Sequence, residues 1–113
     1  MSKDPNLYLV HIRDCCRRVL RYTAPSGESW MVSELVLDAV CRNLEIIGEA
    51  ANKLGEEFRS AHHEIPWRGM IDARNILIHA YDQVRAPLLE DVVANDIPVL
   101  LAQVEALLAK PGK

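Results

Sequence analysis

The sequence is poor in aromatic residues and cysteine, and it carries no net positive charge. Its 113 residues include one phenylalanine, two tryptophans and three cysteines, and the formal net charge is -3. Aliphatic side chains must therefore form most of a core that is modest at this length. An odd number of cysteines, two of them adjacent (Cys15 and Cys16), does not suit a disulfide framework and favours a reducing compartment. Because the charge balance is negative, RNA binding would need a local basic patch.

The sequence also shows no strand-like alternation, internal repeat or low-complexity tract. The first 13 residues include Lys3, Asp4, His11 and Arg13, unlike a secretory signal, and the longest uninterrupted apolar run is far shorter than a membrane span. We therefore expect a cytoplasmic protein that does not contact a membrane. The length predicts one domain over residues 1–113, with 110–113 as a flexible tail.

The amino-terminal region is predicted to form a bundle helix. Asp4 followed by Pro5 is typical of a helix start, with a side-chain cap and a proline in the first turn. Apolar positions then recur at spacings of four and three, as in a helix that buries one face: Tyr8, Ile12, Cys15, Val19 and Tyr22. A break is expected at residues 23–27, where proline and glycine occur.

The second helix is expected to be the central one. Its pattern runs from Trp30 to about Leu54, with Ser26 or Ser29 as the cap. Apolar residues occupy most of the circumference of this helix, so it should pack against neighbours on more than one side. Part of it is expected to meet a second subunit.

The sequence pattern of the remaining residues predicts further helices. A short helical turn is expected within 56–65, a third helix from Ile65-Pro66-Trp67 to about residue 81, and a fourth over about 86–95. A break or kink near Asn95 and Pro98 precedes the last helix, at about 99–108. The fold class is therefore all-α, an antiparallel up-and-down bundle of four to five helices.

Residues 73–81 place polar groups in an otherwise apolar helix. The segment reads Ala-Arg-Asn-Ile-Leu-Ile-His-Ala-Tyr. Arginine, asparagine and histidine are costly to bury without partners, so these residues either pair with other groups or line a site. Asn75 and His79 lie four apart and share a helix face. Arg68 and Asp72 extend that face toward the amino terminus.

Arg74 and His79 together suit the cleavage of RNA. Histidine titrates near neutral pH and can take the proton of a ribose 2′-hydroxyl. Arginine can then stabilise the charge that builds on the attacked phosphate, and no metal ion is needed. A two-fold dimer would supply a second histidine as the acid. From the residues alone, a core histidine beside an unrelated arginine is the commoner arrangement, and this alternative stays open.

Two other patterns could form sites. Arg13, Arg17 and Arg21 form a row at four-residue spacing, which is either a solvated face or a basic stripe for RNA phosphates. His11 and Cys15 have a spacing compatible with zinc, but no second pair of ligands accompanies them. We expect no metal site and no cofactor.

The spacing of arginine, histidine and tyrosine in residues 74–81 resembles the signature of the HEPN superfamily, and more closely that of HepT-like toxins. Gly48-Glu49-Ala50 and Ile65-Pro66-Trp67 add to the resemblance, which covers most of the chain. It implies a HEPN-like homodimer and a metal-independent ribonuclease that acts as a toxin of a toxin–antitoxin pair. Arg74 and His79 would be catalytic and Asn75 would support the site.

The resemblance also implies a partner protein and a modified residue. In HepT-like proteins an antitoxin of the MNT nucleotidyltransferase type transfers AMP from ATP to the tyrosine of the motif, here Tyr81, and pyrophosphate leaves. Glu49 is expected to pair with Arg74, although a surface glutamate in an ordinary helix is an alternative. Two other functions stay open: a non-catalytic HEPN module that binds a nucleotide or a nucleotidyltransferase, and a structural dimer whose polar residues only hydrogen-bond in the core.

Overall fold

The fold consists of helices and their connections. The computed structural model describes residues 4–79 and 86–109, except for the side chains of 26–29, 76–79 and 86–88. The α-helices are α1 (Pro5–Thr23), α2 (Glu34–Lys53), α3 (Glu56–Ala61), α4 (Trp67–His79), α5 (Ala86–Asp91) and α6 (Ile97–Ala109). A 3-10 helix, Ala24–Val32, precedes α2, and a π-helical segment, Val92–Asp96, links α5 to α6. No strand occurs within the described ranges, and the all-α prediction is confirmed. The expected tail at 110–113 lies outside them.

Helix α1 begins at the predicted cap, and its apolar face is buried as its sequence predicts. The Asp4 side chain accepts a hydrogen bond of 2.9 Å from the Asn6 amide, and Pro5 occupies the first turn. Ile12, Cys15 and Val19 are fully buried in the core. The helix ends at Thr23, where the break was expected.

Helix α2 begins later than its apolar pattern suggested. The expected start at Trp30 was wrong, because residues 24–32 form a 3-10 helix in which Trp30 is buried. The cap is Ser33, whose hydroxyl accepts from the Val36 amide at 3.2 Å, rather than Ser26 or Ser29. Over a single short segment, apolar spacing does not distinguish three from 3.6 residues per turn.

Helix α2 is central, as predicted. Helix α1 packs along one side of it and α4 along another, while α6 packs against α1. The core is aliphatic, with only two buried tryptophans. Its largest fully buried side chains come from α1, α2, α6 and the turn before α4: Ile12, Val19, Val40, Ile47, Ile65 and Val104.

The corner between α2 and α4 is fixed by polar contacts. Gly55 has a φ of 90°, a conformation that side chains disfavour, and this lets the chain turn after α2. The Arg59 guanidinium on α3 donates to the Ala51 and Asn52 carbonyl oxygens at 3.0 and 2.9 Å, which satisfies carbonyl groups at the end of α2. Helix α3 is thereby held beside the end of α2.

The last helical stretch is long and apolar, although polar and charged residues interrupt its sequence. Leu89–Ala109 is long and apolar enough to cross a membrane by length and composition, with a mean hydropathy of 1.6. In this fold, side chains spaced along it enter the core: Leu89, Val93, Ile97, Leu100 and Val104. Only part of the stretch is buried, however, and Val99 is exposed. The stretch is thus a helix with a core-packed side and an exposed apolar side.

Candidate active site

Helices α2 and α4 approach each other closely at Gly48. A Cβ atom at this position would meet the Arg74 side chain and would lie 2.7 Å from the Met70 carbonyl oxygen. A real Cβ has no room at that distance, so the contact requires glycine. The absence of a side chain at Gly48 lets the stem of Arg74 lie across α2.

Arg74 is held between two polar neighbours. Its Nη1 donates to the Asn75 Oδ1 at 3.0 Å, and its Nη2 lies 3.7 Å from the Glu49 Oε2. The expected Glu49–Arg74 pair is therefore present. The Arg74 side chain is 31 % exposed and that of Glu49 is 46 % exposed. The guanidinium is thus oriented by its neighbours and still accessible from solvent.

The arginine retains capacity to bind a ligand. The separation of 3.7 Å from Glu49 is longer than a hydrogen bond. The buried Arg74 Nε has no hydrogen-bond partner among the described residues. Exposed ion pairs of this kind contribute at most about 1 kcal/mol, so a phosphate can displace the carboxylate at small cost.

The structure brings Glu49, Arg74 and Asn75 together and describes only the backbone of His79. His79 is the last residue of α4, one helical turn after Asn75. Its side chain and all of Tyr81 lie outside the described residues. The role of His79 as the base and that of Tyr81 as the modification site therefore stay predictions.

The arginine row on α1 does not form a uniform free stripe. Arg13 pairs with Asp14 at 3.0 Å, and Arg17 pairs with Glu105 of α6 at 2.7 Å. Arg21 lies over the Tyr22 ring, 5.3 Å from its centroid. Carboxylates reduce the positive charge that Arg13 and Arg17 could offer to RNA phosphates.

The cysteine thiols are not activated as nucleophiles. Burial raises the pKa of Cys15, although the neighbouring Arg18 opposes the shift. Burial, with a smaller effect of Cys15, raises the pKa of Cys16 to about 12, and burial with Asp38 and Glu45 raises that of Cys41 to about 11. A thiol must lose its proton to react, so these groups are inert at neutral pH.

Metal-ligand side chains do not cluster in the described part of the chain. No group of three histidine, cysteine, aspartate or glutamate residues there is arranged to hold a metal ion. His11 is exposed and packs edge-on against Tyr8, whereas Cys15 is buried.

An open cavity beside the start of α4 is not apparent from the sequence. Its volume is about 440 Å³. It is lined by residues of α2, α3, α4 and the turn between α3 and α4: Asn52, Glu56, Arg59, Ser60, His63, Ile65, Pro66, Trp67, Arg68 and Ile71. Arg68 and Asp72, four residues apart, were noted on the face of Asn75. The sequence does not show that α3 closes a cavity next to them.

The family profile and the named relatives indicate the same family. The profile of the family described as "Ribonuclease HepT-like" matches residues 12–107. A protein of Caldanaerobacter subterraneus subsp. tengcongensis named "Putative RNase" is 36 % identical over 109 residues, which cover 96 % of this chain and 97 % of the relative. A Thermococcus cleftensis protein named "Probable ribonuclease HepT" is 36 % identical over 108 residues, covering 95 % of this chain and 98 % of the relative.

A longer relative contains the same region beside additional sequence. The Methanocaldococcus jannaschii protein named "Gamma-glutamylcyclotransferase and putative RNase" is 37 % identical over 114 residues, covering all of this chain and 51 % of the relative. The chain therefore spans about half the length of that protein. No solved structure gives a significant match. The family profile and the full-length relatives establish that this chain belongs to the ribonuclease HepT-like family.

Proposed function

We propose that this protein is a metal-independent ribonuclease whose site combines Arg74 and His79 of two protomers. The observation that carries the proposal is the setting of Arg74. Asn75 and Glu49 orient its guanidinium, it stays accessible, and it lies just over one helical turn before His79. Membership of a ribonuclease family supports the activity.

The proposed reaction is a transesterification within RNA. His79 removes the proton of a ribose 2′-hydroxyl, and the oxygen attacks the adjacent phosphorus. The bond from phosphorus to the 5′-oxygen breaks, and a 2′,3′-cyclic phosphate remains. Arg74 stabilises the charge on the phosphate oxygens as they pass through the transition state.

The leaving 5′-oxygen needs a proton from an acid. In the proposal this acid is His79 of the second protomer, which requires a two-fold dimer with both copies of α4 at one cleft. The exposed apolar residues Val32, Leu35 and Val99 are candidates for burial between subunits.

The activity is tested with purified protein and total RNA in EDTA. We expect wild type to cleave, and His79→Ala and Arg74→Ala to lose at least about 100-fold in rate, as when a base or a charge-stabilising donor is removed. The matched controls are His11→Ala, an exposed histidine on α1, and Arg42→Ala, an exposed arginine on α2. Activity retained in His79→Ala would remove this residue from the mechanism.

We further propose that the protein is a toxin whose antitoxin is an MNT-type nucleotidyltransferase acting on Tyr81. AMP on Tyr81 would add negative charge and bulk close in sequence to His79, and would repel an RNA phosphate. The resemblance of residues 74–81 to the HepT-like motif supports this part of the proposal.

The modification is tested by co-expression with the nucleotidyltransferase and an intact-mass measurement. Wild type expressed alone should arrest growth. When the nucleotidyltransferase is co-expressed, wild type should gain the mass of one AMP. Tyr81→Phe should still arrest growth and should escape neutralisation. Full neutralisation of Tyr81→Phe would show that the antitoxin acts in another way.

The net charge of -3 favours one alternative, a non-catalytic module that binds a nucleotide or the nucleotidyltransferase. Such a module would use Arg74 to hold a phosphate without cleaving RNA. It predicts nucleotide binding by wild type and by His79→Ala alike, with no RNA cleavage by either.

A further inference from the structure

The open cavity beside the start of α4 lies against the same two helices, α2 and α4, as Arg74. Gly48 packs against Arg74, whereas Asn52 shares the cavity with Arg68, so α2 and α4 run antiparallel here. Asn52 follows Glu49 by three residues, a step of about 4.5 Å along α2. Ile71 precedes Arg74 by the same step on α4. Both steps lead from the Glu49–Arg74 pair into the cavity.

The cavity offers an arginine for a phosphate. The Arg68 side chain is 87 % exposed, and its only described ion pair, with Asp72, has a separation of 3.4 Å on the surface. Such a pair is weak, so the planar guanidinium remains available to a phosphate group. Arg59 adds positive charge nearby, although its Nη1 is already bonded to the carbonyl groups of α2.

The other walls suit the ribose and base of a nucleotide. Pro66 and Ile71 form an apolar surface, while Asn52, Ser60 and His63 provide hydrogen-bonding groups. The volume of about 440 Å³ lies within the range of about 300–1,000 Å³ typical of small-molecule sites.

Two carboxylates limit how strongly an anion can bind. Glu56 lines the cavity and Asp72 pairs with Arg68. Each repels a phosphate, so the cavity alone should bind weakly. It suits a group delivered by a longer ligand that is also held at Arg74.

We propose that this cavity is an RNA subsite, which binds a nucleotide next to the cleaved bond with Arg68 on its phosphate. The inference rests on the proposed ribonuclease function, because it assigns the scissile phosphate to Arg74. It extends the site along α4, toward the amino terminus of that helix, rather than across the arginine row of α1.

The test measures binding of a single-stranded hexanucleotide of mixed sequence by fluorescence anisotropy. The RNA carries 2′-O-methyl groups, so it cannot be cleaved by 2′-oxygen attack. Arg68→Ala is compared with Arg42→Ala, which removes an exposed arginine from a similar intrahelical pair, with Glu45 at 3.2 Å. Arg59 is not substituted because it caps α2.

Arg68→Ala should weaken binding about five- to tenfold and should lower the slope of log affinity against log salt by about 0.7, as expected for one lost phosphate contact to a single strand. Arg42→Ala should change the affinity less than about twofold, since it lies on the other side of Glu49 along α2. Asp72→Asn should tighten binding, because an opposing carboxylate is removed.

Equal effects of Arg68→Ala and Arg42→Ala would overturn the subsite, as would unchanged binding in Arg68→Ala. If wild type still cleaves natural RNA in either case, the ribonuclease proposal stands and only the cavity assignment is wrong. If wild type neither binds nor cleaves RNA, the proposed function and the subsite both fail. Circular dichroism confirms that each variant is folded.

Discussion

At the scale of single residues, the local environment of Arg74 is the central feature. Its pairing with Glu49 was one of two expectations, the other being a surface glutamate in an ordinary helix, and the structure shows the pair. The tight contact of Arg74 with Gly48 was not predictable in detail, because it depends on how closely α4 approaches α2. A glycine in a helix signals a close approach but does not identify the other side chain.

Glu49→Gln should separate positioning from phosphate binding. The amide keeps the size of Glu49 but loses the charge that orients Arg74, so kcat for RNA cleavage should fall several-fold. KM should not rise, since a carboxylate that repels phosphate has gone. The free energy of unfolding should change by less than about 1 kcal/mol, as for other exposed pairs. Steady-state kinetics check the prediction, and an unchanged kcat would mean that Glu49 does not position Arg74.

Gly48→Ala should damage both the fold and the site. The added methyl group meets the Arg74 side chain and the Met70 carbonyl oxygen, so α4 must move away from α2. Overpacking of this kind costs about 1–3 kcal/mol, which urea unfolding measures. Gly69→Ala is the matched control, because no neighbouring atom of the described residues lies within 4 Å of its Cβ position and alanine favours a helix. Equal stability of the two variants would contradict the close contact.

At the scale of elements, capping residues and apolar spacing predicted most helices but not their connections. Asp4 and Pro5 mark the start of α1 correctly, since a cap is a local interaction. The segment before α2 was assigned to the helix because Trp30 continues its apolar pattern. The break expected near Asn95 appears as a π-helical segment, in which Asn95 donates to the Asp91 carboxylate at 2.6 Å. The sequence indicated an irregularity there but not its type.

The buried thiols of α1 and α2 should make stability depend on alkaline pH. Their pKa values are raised in the folded protein, to about 12 for Cys16 and about 11 for Cys41, mainly by burial. The unfolded chain therefore loses these protons first, and the free energy of unfolding should fall as pH rises above about 9. The free energy of unfolding of Cys41→Ala, measured with urea between pH 8 and 10.5, should fall less steeply with pH than that of wild type. Identical slopes would exclude the Cys41 contribution.

At the scale of the whole molecule, long-range contacts decide which charges are free. The row Arg13, Arg17 and Arg21 was evident from spacing, but the pairing of Arg17 with Glu105 joins residues 88 apart in sequence. No local pattern predicts such a pair. The same limit applies to the cavity at Arg68, which exists because α3 folds back beside α4.

The all-α fold and the grouping of Glu49, Arg74 and Asn75 follow from sequence, and both are present in the structure. The dimer is a prediction at this scale. It would supply the second His79 that the proposed reaction needs, and would cover the apolar side of α6.

The most direct test of the account compares two RNA oligonucleotides that differ at one position. Wild-type protein in EDTA is first used to map a cleavage site, and the second oligonucleotide carries a 2′-deoxyribose at the nucleotide whose 2′-oxygen would attack. Mass spectrometry identifies the product ends. The account predicts a 2′,3′-cyclic phosphate from the first oligonucleotide, no cleavage of the second at that position, and no product with His79→Ala. Cleavage of the deoxy-substituted bond, or cleavage by His79→Ala at the wild-type rate, would contradict it.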